Sequence, residues 1–227
     1  MKRQALEADG TSLGWQFEDN HALFVFGNRH LTRDRLPDHF PHFEFSYLRQ
    51  VHGRKIVSAD PEVNLEADGH FTRVRKQALV VQTADCVPVL LSSPRQVCAL
   101  HAGWRGVAHN IVAAATQVFA SDDPPRAAII GPHIHRAHFE VGTDVARQLL
   151  LAAPPGQDQS LFVWGHRQSD KIFFDLNALV RAQLEATFQN IAIFDCKENT
   201  FALPVYHSFR RDREQAGRQY SFVVLKA

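Results

Sequence analysis

Three short apolar segments follow one another closely in the middle of the chain and restrict its fold more than any other feature. They are ALVVQT (78–83), VPVLLSS (87–93) and QVCALH (96–101). Apolar runs of this length, bounded by turn residues, are typical of buried strands. Only Pro94 and Arg95 separate the last two segments, so these two are predicted to pair as a hairpin. The centre of the chain is therefore predicted to be part of a β-sheet.

Helical and strand patterns alternate irregularly along the rest of the chain. Apolar residues at steps of four, three and four predict a helix over 104–119, and further helices are predicted at 143–152 and 177–188. The other predicted strands are a hairpin of 42–52 with 55–59, and the segments 127–131, 171–176, 191–195 and 219–225. Because no strict βαβ order appears, the pattern favours an α+β fold with a mixed sheet. No internal repeat or low-complexity linker divides residues 1–227, which predicts a single domain.

Composition excludes several classes of protein. With 25 Lys and Arg against 24 Asp and Glu, the formal charge is +1. This argues against a nucleic-acid partner, because such binding depends on Lys and Arg contacts to phosphates. A hydrophobic fraction of 45% is enough to bury a core, so disorder is excluded. The apolar runs are too short to span a bilayer, the first residues lack the apolar region of a signal peptide, and three cysteines form no disulfide framework. We therefore expect a cytoplasmic protein without a membrane partner.

The chain contains 13 histidines and 3 cysteines, and the predicted hairpin brings one of each together. If the turn is centred between Ser93 and Pro94, Cys86 lies directly opposite His101. Opposed side chains in an antiparallel pair have Cβ atoms about 4.5–5.5 Å apart. This separation suits a thiolate and an imidazole that share one ion, since Zn–S bonds are about 2.3 Å and Zn–N bonds about 2.0–2.1 Å long. The hairpin therefore predicts half of a metal site.

His52 is the best candidate for a third ligand, because it ends a predicted strand beside Gly53, where backbones can approach closely. Two histidines and one cysteine leave the fourth tetrahedral position open, as in catalytic zinc sites. Two other interpretations of these residues remain. Cys86 and His101 are compatible with a nucleophile–base pair that needs no metal. They are also compatible with ordinary packing of a small buried thiol and a hydrogen-bonded histidine.

A series of motifs with a fixed order gives a more specific indication. They are QVHG (50–53), ADG (67–69), TADCVPVLL (83–91), HAGWRG (101–106), GPHI (131–134), FEVG (139–142), DL (175–176), RRD (210–212) and GRQ (217–219). Over roughly residues 50–222, the chain closely resembles the YfiH-type family. Members of this family have been called multicopper polyphenol oxidase (laccase), purine nucleoside phosphorylase and peptidoglycan editing factor.

The resemblance implies a zinc ion, Zn²⁺, bound by His52, Cys86 and His101, with Cu²⁺ as the other candidate. It implies an α+β fold in which mixed β-sheets form a sandwich-like core with flanking helices, similar to the catalytic domain of cytotoxic necrotizing factor. It also implies phosphorolysis of adenosine, inosine, guanosine and methylthioadenosine, with adenosine deamination as a second reaction. The substrates are then a purine nucleoside and phosphate. The chain departs from the family at Phe26–Thr32, which lacks a glycine pair, and at Ile134–Arg136.

Two further residues are candidates for the chemistry. Asp85 adjoins Cys86 and is placed to accept or relay a proton. Because neighbouring residues of a strand point to opposite faces, a role in orienting the ligands is equally compatible. Arg105 lies at the start of a predicted helix after His101, where an anion such as phosphate is favoured. Weaker alternatives for the anion are four other arginines, Arg54, Arg210, Arg211 and Arg218.

Three other functions are compatible with parts of this pattern. A copper polyphenol oxidase is disfavoured, because the sole methionine is Met1 and the sequence contains no His-x-His pair apart from His133 and His135. Hydrolytic editing of peptidoglycan precursors would use the same three residues and stays open. A binding module with a structural zinc is disfavoured, because structural sites have four ligands and the sequence offers no obvious fourth.

Overall fold

The computed structural model describes residues 1–168 and 170–226. Over these residues the chain forms seventeen strands and six helices, in no regular alternation. The strands are β1 (Lys2–Ala8), β2 (Thr11–Glu18), β3 (Ala22–Gly27), β4 (Glu44–Ser46), β5 (Leu48–Arg49), β6 (Ile56–Ser58), β7 (Leu65–Glu66), β8 (Gly69–Thr72), β9 (Gln77–Thr83), β10 (Val87–Ser92), β11 (Val97–Ala102), β12 (Ala127–Ile130), β13 (Glu140–Gly142), β14 (Val163–Gln168), β15 (Lys171–Phe174), β16 (Ala192–Asp195) and β17 (Gln219–Leu225). The helices are α1 (Leu36–His39), α2 (Trp104–Ala108), α3 (Ile111–Ala114), α4 (Thr143–Leu151), α5 (Leu176–Thr187) and α6 (Phe209–Asp212).

Two six-stranded mixed sheets form the centre of the fold. The first sheet has the order β1-β2-β3-β17-β9-β4, and the second has the order β16-β12-β10-β11-β8-β6. Most neighbours are antiparallel, but β4 with β9, β12 with β16 and β6 with β8 are parallel. Two small sheets, β13-β15-β14 and β5-β7, lie outside this pair. The predicted α+β class with mixed sheets is confirmed.

The two large sheets face each other across an apolar layer. Phe24 and Val81 of the first sheet belong to the same buried cluster as Leu90 and Ile129 of the second. The other face of the second sheet is buried against α2, α3, α4 and α5. On the outer face of the first sheet, aromatic side chains surround Phe222. Each sheet is therefore covered on both faces, which gives the sandwich-like core with flanking helices that the resemblance implied.

Two of the three predicted helices are confirmed to within one residue at each end, as α4 and α5. The prediction of one continuous helix over 104–119 is wrong, because this segment is divided into shorter helices. Asn110 adopts the left-handed conformation, with φ of 59°, and divides the segment into α2, α3 and a short 3-10 turn at Ala115–Gln117. Asparagine tolerates that conformation better than most residues. None of the helices in the described ranges combines the length and the apolarity that crossing a bilayer requires.

The hairpin of β10 and β11 is confirmed, but its predicted register is wrong. His101 pairs with Pro88 rather than with Cys86, which lies outside the strand. The turn is centred between Pro94 and Arg95, because the backbone N–H of Ser93 donates to the Gln96 carbonyl at 2.8 Å. The Ser93 hydroxyl oxygen also accepts the Gln96 N–H at 3.0 Å. The serine therefore closes the turn one residue later than predicted.

The predicted hairpin between 42–52 and 55–59 is wrong. These residues form three short strands, and each pairs with a different partner. The strand β4 lies parallel to β9, β5 lies parallel to β7, and β6 lies parallel to β8. His52 accordingly lies in a turn, with φ of 61°, rather than at the end of a hairpin strand.

Candidate metal centre

Three side chains from separate parts of the chain meet at one point. His52 lies in the turn after β5, Cys86 lies in the turn between β9 and β10, and His101 lies near the end of β11. One ligand atom from each residue lies within 4.8 Å of the other two. His101 is buried, Cys86 is half-buried and His52 is exposed. The cluster is therefore anchored in the core on one side and accessible on the other.

One buried carboxylate holds two of the three donors in place. Asp68 Oδ1 lies 2.8 Å from His101 Nδ1 and also accepts the backbone N–H of His52 at 2.8 Å. Its Oδ2 accepts the N–H groups of Gly53, at 2.6 Å, and Val51, at 3.2 Å. With Nδ1 of His101 engaged, Nε2 is left as its ligand atom. A carboxylate that orients a ligating histidine in this way is a regular part of protein metal sites.

Asp68 is a candidate residue of this site that the sequence motifs do not single out. It appears among them only as the middle residue of ADG (67–69). Its side chain is fully buried, and burial by itself raises the pKa of a carboxyl. The hydrogen bonds from His101 and from the Gly53 and His52 amides outweigh this effect and hold the pKa of Asp68 below its usual value. The available indication is an aspartate directly before a buried strand, β8, in a chain with a candidate metal site.

The cluster is polarised toward a thiolate. Burial raises the pKa of the Cys86 thiol, but the charges and hydrogen bonds of His101 and His52 outweigh burial and lower it to about 6. Burial lowers the pKa of His101, but the neighbouring Cys86 and Asp68 outweigh it and raise the pKa to about 9. The thiolate is the form of cysteine that binds metals. A metal cation bound here would take the place of the protons that now lie between the Cys86 sulfur and the two histidine rings.

The donors and the space around them fit a metal ion. A thiolate and two imidazoles are ligands that zinc and copper both accept. Gly103 leaves the room that the cluster needs, since a Cβ atom there would lie 3.0 Å from His52 Cδ2 and 3.2 Å from Cys86 Sγ. Within the described ranges, this is the one group of three or more His, Cys, Asp or Glu side chains that could hold an ion.

The cluster opens into a cavity of about 610 Å³, a size suited to a small molecule. Besides the three donors, Ala84, Asp85 and the amides of Gln50 and Gln82, the cavity wall consists of large apolar side chains and arginines. The apolar ones are Leu48, Trp104, Ile134, Phe139, Leu176 and Phe209, and the cationic ones are Arg105, Arg210, Arg213 and Arg218. Phe209 is 43% exposed, so an aromatic face is available to a ligand. The arrangement suits a planar apolar group combined with an anion.

Asp85, the predicted proton acceptor, lines the same cavity. It lies in a turn, with φ of 87°. Its Oδ1 accepts the Thr200 hydroxyl at 2.6 Å, while Oδ2 accepts the Ser208 hydroxyl at 3.0 Å and the Arg210 N–H at 2.7 Å. The carboxylate therefore joins the turn that carries Cys86 to the segment that carries the cavity arginines. These contacts favour an orienting role over proton transfer.

The predicted arginines divide between the cavity and other surfaces. Arg105, Arg210 and Arg218 line the cavity, and the guanidinium of Arg105 lies over the Trp104 ring at 4.5 Å. Arg54 lines a different cavity and donates to a backbone carbonyl.

Arg211 does not line the cavity beside the His–Cys–His cluster but a different one. Its guanidinium forms an ion pair with Asp212 and donates to three backbone carbonyls. Arg211 is thus a structural residue of the loop, and the four arginines of the cavity are the ones able to meet a ligand.

The fold and the site together define a class of protein. It is an α+β protein in which a His–Cys–His cluster able to hold a metal ion opens into a cavity for a small molecule. A family model described as multi-copper polyphenol oxidoreductase laccase matches residues 5–226. The chain belongs to this YfiH-type family.

Several known proteins are similar to this chain over most of its length. The purine nucleoside phosphorylase RC0672 of Rickettsia conorii is 32% identical over 186 residues, covering 79% of this chain and 75% of that protein. The purine nucleoside phosphorylase YfiH of Escherichia coli is 31% identical and covers 79% of this chain and 73% of that protein. The crystal structure of protein NMB0706 of Neisseria meningitidis aligns with a TM-score of 0.80 at 25% identity, covering 92% of this chain and 96% of that one.

Proposed function

We propose that the protein is a zinc-dependent purine nucleoside phosphorylase. It would convert adenosine, inosine, guanosine or methylthioadenosine and phosphate into the free base and the ribose 1-phosphate or its methylthio analogue, with adenosine deamination as a second reaction. The observation that carries the proposal is the His52–Cys86–His101 cluster at a cavity with aromatic and arginine walls. The names of the relatives from Rickettsia conorii and Escherichia coli support it.

The residues have distinct roles in this proposal. His52, Cys86 and His101 would hold the zinc ion, and Asp68 orients the His101 ring through its bond to Nδ1. A zinc ion bound by three protein ligands supplies a Lewis acid for activating water or polarising a substrate atom. Asp85 would fix the turn that carries Cys86 through its three accepted hydrogen bonds.

The cavity walls suit the two substrates of phosphorolysis. In this reaction a phosphate oxygen forms a bond to the anomeric carbon of the ribose. The glycosidic C–N bond breaks, and the base leaves with the electron pair and takes up a proton. Phe139 and Phe209 offer apolar surfaces against which a purine can lie. Arg105 adds positive charge to the same cavity, where it would stabilise the anionic phosphate.

A copper polyphenol oxidase is the second candidate, because the family model carries that description. Multicopper chemistry needs several groups of ligands, whereas the described part of this chain offers a single three-donor cluster. The sole methionine, Met1, lies at the start of the chain, next to the edge strand β1. Stoichiometric copper in the purified protein, together with oxygen consumption on phenols, would favour this second candidate.

We further propose that residues 1–227 form a single cytoplasmic domain without a nucleic-acid or membrane partner. The family model extends over residues 5–226. The three cysteines are free thiols, as expected in a reducing compartment. The formal charge of +1 supplies no excess of cations for a nucleic acid. Heat unfolding of the metal-free protein is expected to give one calorimetric transition, and two separate transitions would contradict the single domain.

Product analysis tests the function directly. The zinc-loaded protein is incubated with adenosine, inosine, guanosine or methylthioadenosine, with and without inorganic phosphate, and the products are separated by chromatography. Release of base that depends on phosphate is expected, and ammonia from adenosine reports the second reaction. The absence of turnover of all four nucleosides would contradict the proposal.

Substitution of the ligands tests the site. Cys86→Ala and His101→Ala are each expected to abolish zinc retention and nucleoside turnover while the far-ultraviolet circular dichroism stays unchanged. Cys98→Ala is the matched control, because Cys98 is a buried thiol of β11 that is not part of the cluster. Full activity in either ligand variant would exclude the three-ligand site.

A further inference from the structure

We propose that Arg210 is the anchor for a phosphate-type oxyanion in the cavity beside the His–Cys–His cluster. The inference deepens the proposed function, because phosphorolysis needs a bound phosphate, but it concerns a binding site that can be tested without any turnover. Among the arginines of the cavity wall, Arg210 is distinguished by its burial, since Arg105, Arg213 and Arg218 are exposed.

The position of Arg210 is determined by backbone contacts on two sides. Its backbone N–H donates to Asp85 Oδ2 at 2.7 Å. Its side-chain Nη1 donates to the backbone carbonyls of Glu140, at 2.8 Å, and His138, at 3.4 Å. The guanidinium carbon lies 5.6 Å from the centre of the Phe139 ring. No hydrogen bond joins its Nε or Nη2 to another residue of the described ranges. One edge of the guanidinium is therefore held while the rest is free to bind a ligand in the cavity that Arg210 lines.

The charge of Arg210 is not balanced by an ion pair with any side chain that the structure describes. Two other partly buried arginines differ in this respect, since Arg3 pairs with Glu198 and Arg211 pairs with Asp212. Burial lowers the pKa of Arg210 from its ordinary value, and only the more distant charges of Asp85 and Glu140 oppose this effect. A half-buried guanidinium without a carboxylate is stabilised when an oxyanion binds it.

Neighbouring charges strengthen the preference for an anion. Arg213 is close enough to Arg210 to disfavour its charge, and it lines the same cavity, as does Arg218. The one carboxylate among the described lining residues is Asp85, and its oxygens already accept three hydrogen bonds. The planar fork of an arginine matches the spacing of phosphate oxygens better than the point charge of a lysine. Among the described lining residues, the cavity therefore presents four arginines and no carboxylate that is free of hydrogen bonds.

The oxyanion has two possible sources, and the chemistry of the site is the same for both. Inorganic phosphate would be the second substrate of phosphorolysis. Alternatively, the phosphate belongs to a nucleoside 5′-monophosphate that enters the cavity with its base. The two sources are separated by titrating each compound alone.

Equilibrium binding provides the test. Inorganic phosphate and adenosine 5′-monophosphate are titrated separately into the zinc-loaded protein by calorimetry. Arg210→Gln is expected to weaken the binding of the ligand that uses the site by about 10- to 100-fold, because the loss of a charged hydrogen-bonding partner is of that order. Arg210→Lys keeps the charge but lacks the fork, so an intermediate loss is expected. Arg147→Gln, at an exposed position of α4, is the matched control and is expected to change nothing.

Each outcome has a defined meaning. Loss of phosphate affinity in Arg210→Gln, with normal zinc content, supports the inference with phosphate as the ligand. Loss confined to the monophosphate supports it with a nucleotide as the ligand and weighs against phosphorolysis. Phosphate binding that depends on Arg210 without any nucleoside turnover supports the oxyanion site and contradicts the proposed function. Unchanged affinity in Arg210→Gln, or no binding of either compound by the native protein, overturns the inference.

Discussion

Asp68 connects two of the three candidate ligands, since its carboxylate accepts hydrogen bonds from the His101 ring and from the His52 and Gly53 amides. In Asp68→Asn, one acceptor oxygen is replaced by an amide nitrogen that faces N–H donors. We therefore expect zinc affinity to fall by about 10- to 100-fold, as is common when the partner of a ligating histidine is altered. Competition with a chromophoric chelator measures this change.

Asp144→Asn is the control for Asp68→Asn, because it makes the same chemical change at an exposed position of α4. Its zinc affinity is expected to match that of the native protein. If Asp68→Asn also binds zinc with native affinity, the carboxylate does not orient the ligand, and its role is confined to folding the turn at His52.

At the scale of residues, the sequence motifs predicted the meeting of the three candidate ligands, whereas the predicted hairpin pairing of two of them is wrong. His52, Cys86 and His101 do converge, but not through the predicted pairing, since His101 opposes Pro88 in the hairpin. The side chains meet because His52 and the residue before Cys86, Asp85, both adopt positive φ angles. Such angles are uncommon for residues other than glycine, so the convergence could not be derived from strand periodicity.

At the scale of elements, the connection between β11 and α2 is shaped by Gly103. Its φ of −69° and ψ of 160° are open to any residue, so Gly103→Ala introduces no backbone strain. The added Cβ would lie 3.0 Å from His52 Cδ2 and 3.2 Å from Cys86 Sγ, closer than a normal contact. We expect zinc affinity to fall by about tenfold, because metal sites tolerate displacements of only about 0.5 Å. The free energy of unfolding of the metal-free protein is expected to stay within about 1 kcal/mol.

Chelator competition and chemical denaturation of Gly103→Ala separate these two effects. A variant that binds zinc normally would show that the neighbours move without consequence. A variant that loses several kcal/mol of stability without zinc would instead place Gly103 among the packing residues of the core.

The segment that carries the cavity arginines is attached to the Cys86 turn by Asp85. In Asp85→Asn, one of the two acceptor oxygens is lost, so the hydroxyls of Thr200 and Ser208 and the N–H of Arg210 can no longer all be satisfied. Asparagine tolerates the positive φ of this position. We expect a loss of about 1–2 kcal/mol of stability and faster cleavage by trypsin after Arg210, measured under native conditions and mapped by mass spectrometry.

Thr200→Val is the control for Asp85→Asn, because it removes a single donor to the same carboxylate. Its cleavage rate is expected to lie between those of the native protein and Asp85→Asn. Equal cleavage rates in the native protein and Asp85→Asn would show that the segment is held by other contacts.

Element prediction succeeded for the strong patterns at the centre of the chain, but it missed β3, although ALFVFG is an apolar run with five of its six residues buried. The central strands β9, β10 and β11 were predicted, because each is a continuous apolar run that is buried on both faces. The edge strand β1 was missed. Its residues are exposed or only half-buried, so its sequence, KRQALEA, carries no apolar run. The hairpin of 42–52 with 55–59 failed because these strands pair with distant partners, and a sequence pattern does not identify partners.

At the scale of the whole molecule, a buried histidine links stability to pH. His70 is fully buried in β8, opposite Ala99 of the layer between the sheets. Neither ring nitrogen makes a hydrogen bond of normal geometry with a residue that the structure describes. Burial lowers the pKa of His70 to about 3, which a weak contact with the Val80 backbone only partly opposes. The folded protein therefore keeps this ring neutral at pH values where the unfolded chain protonates it.

The sign of the effect follows from proton binding. Between the folded pKa of about 3 and the usual value of 6.5, the unfolded state binds a proton that the folded state does not. The contribution of His70 is complete above pH 6.5, and the free energy of unfolding falls as the pH decreases below it, by up to about 1.4 kcal/mol per pH unit. The free energy of unfolding is measured by urea denaturation from about pH 4 to about pH 7. We expect it to depend less steeply on pH in His70→Leu than in the native protein.

His109→Leu is the control for His70→Leu, because His109 is an exposed histidine at the end of α2. Its pH dependence is expected to be parallel to that of the native protein. If His70→Leu shows the native slope, the ring does not stay neutral in the fold, and other groups account for the acid sensitivity.

The position of β17 in the first sheet has a consequence for the synthesis of the protein. This strand lies between β3 and β9 and pairs with both, although its residues, Gln219–Leu225, follow all the other described strands along the chain. When residues 1–218 have been translated, the first sheet therefore consists of two separate parts, β1-β2-β3 and β9-β4, without the strand that joins them. The apolar surfaces of both parts remain exposed. Exposed strand edges of this kind are prone to aggregation, so a premature stop codon just before β17 is expected to give an aggregating chain rather than a slightly shorter folded protein.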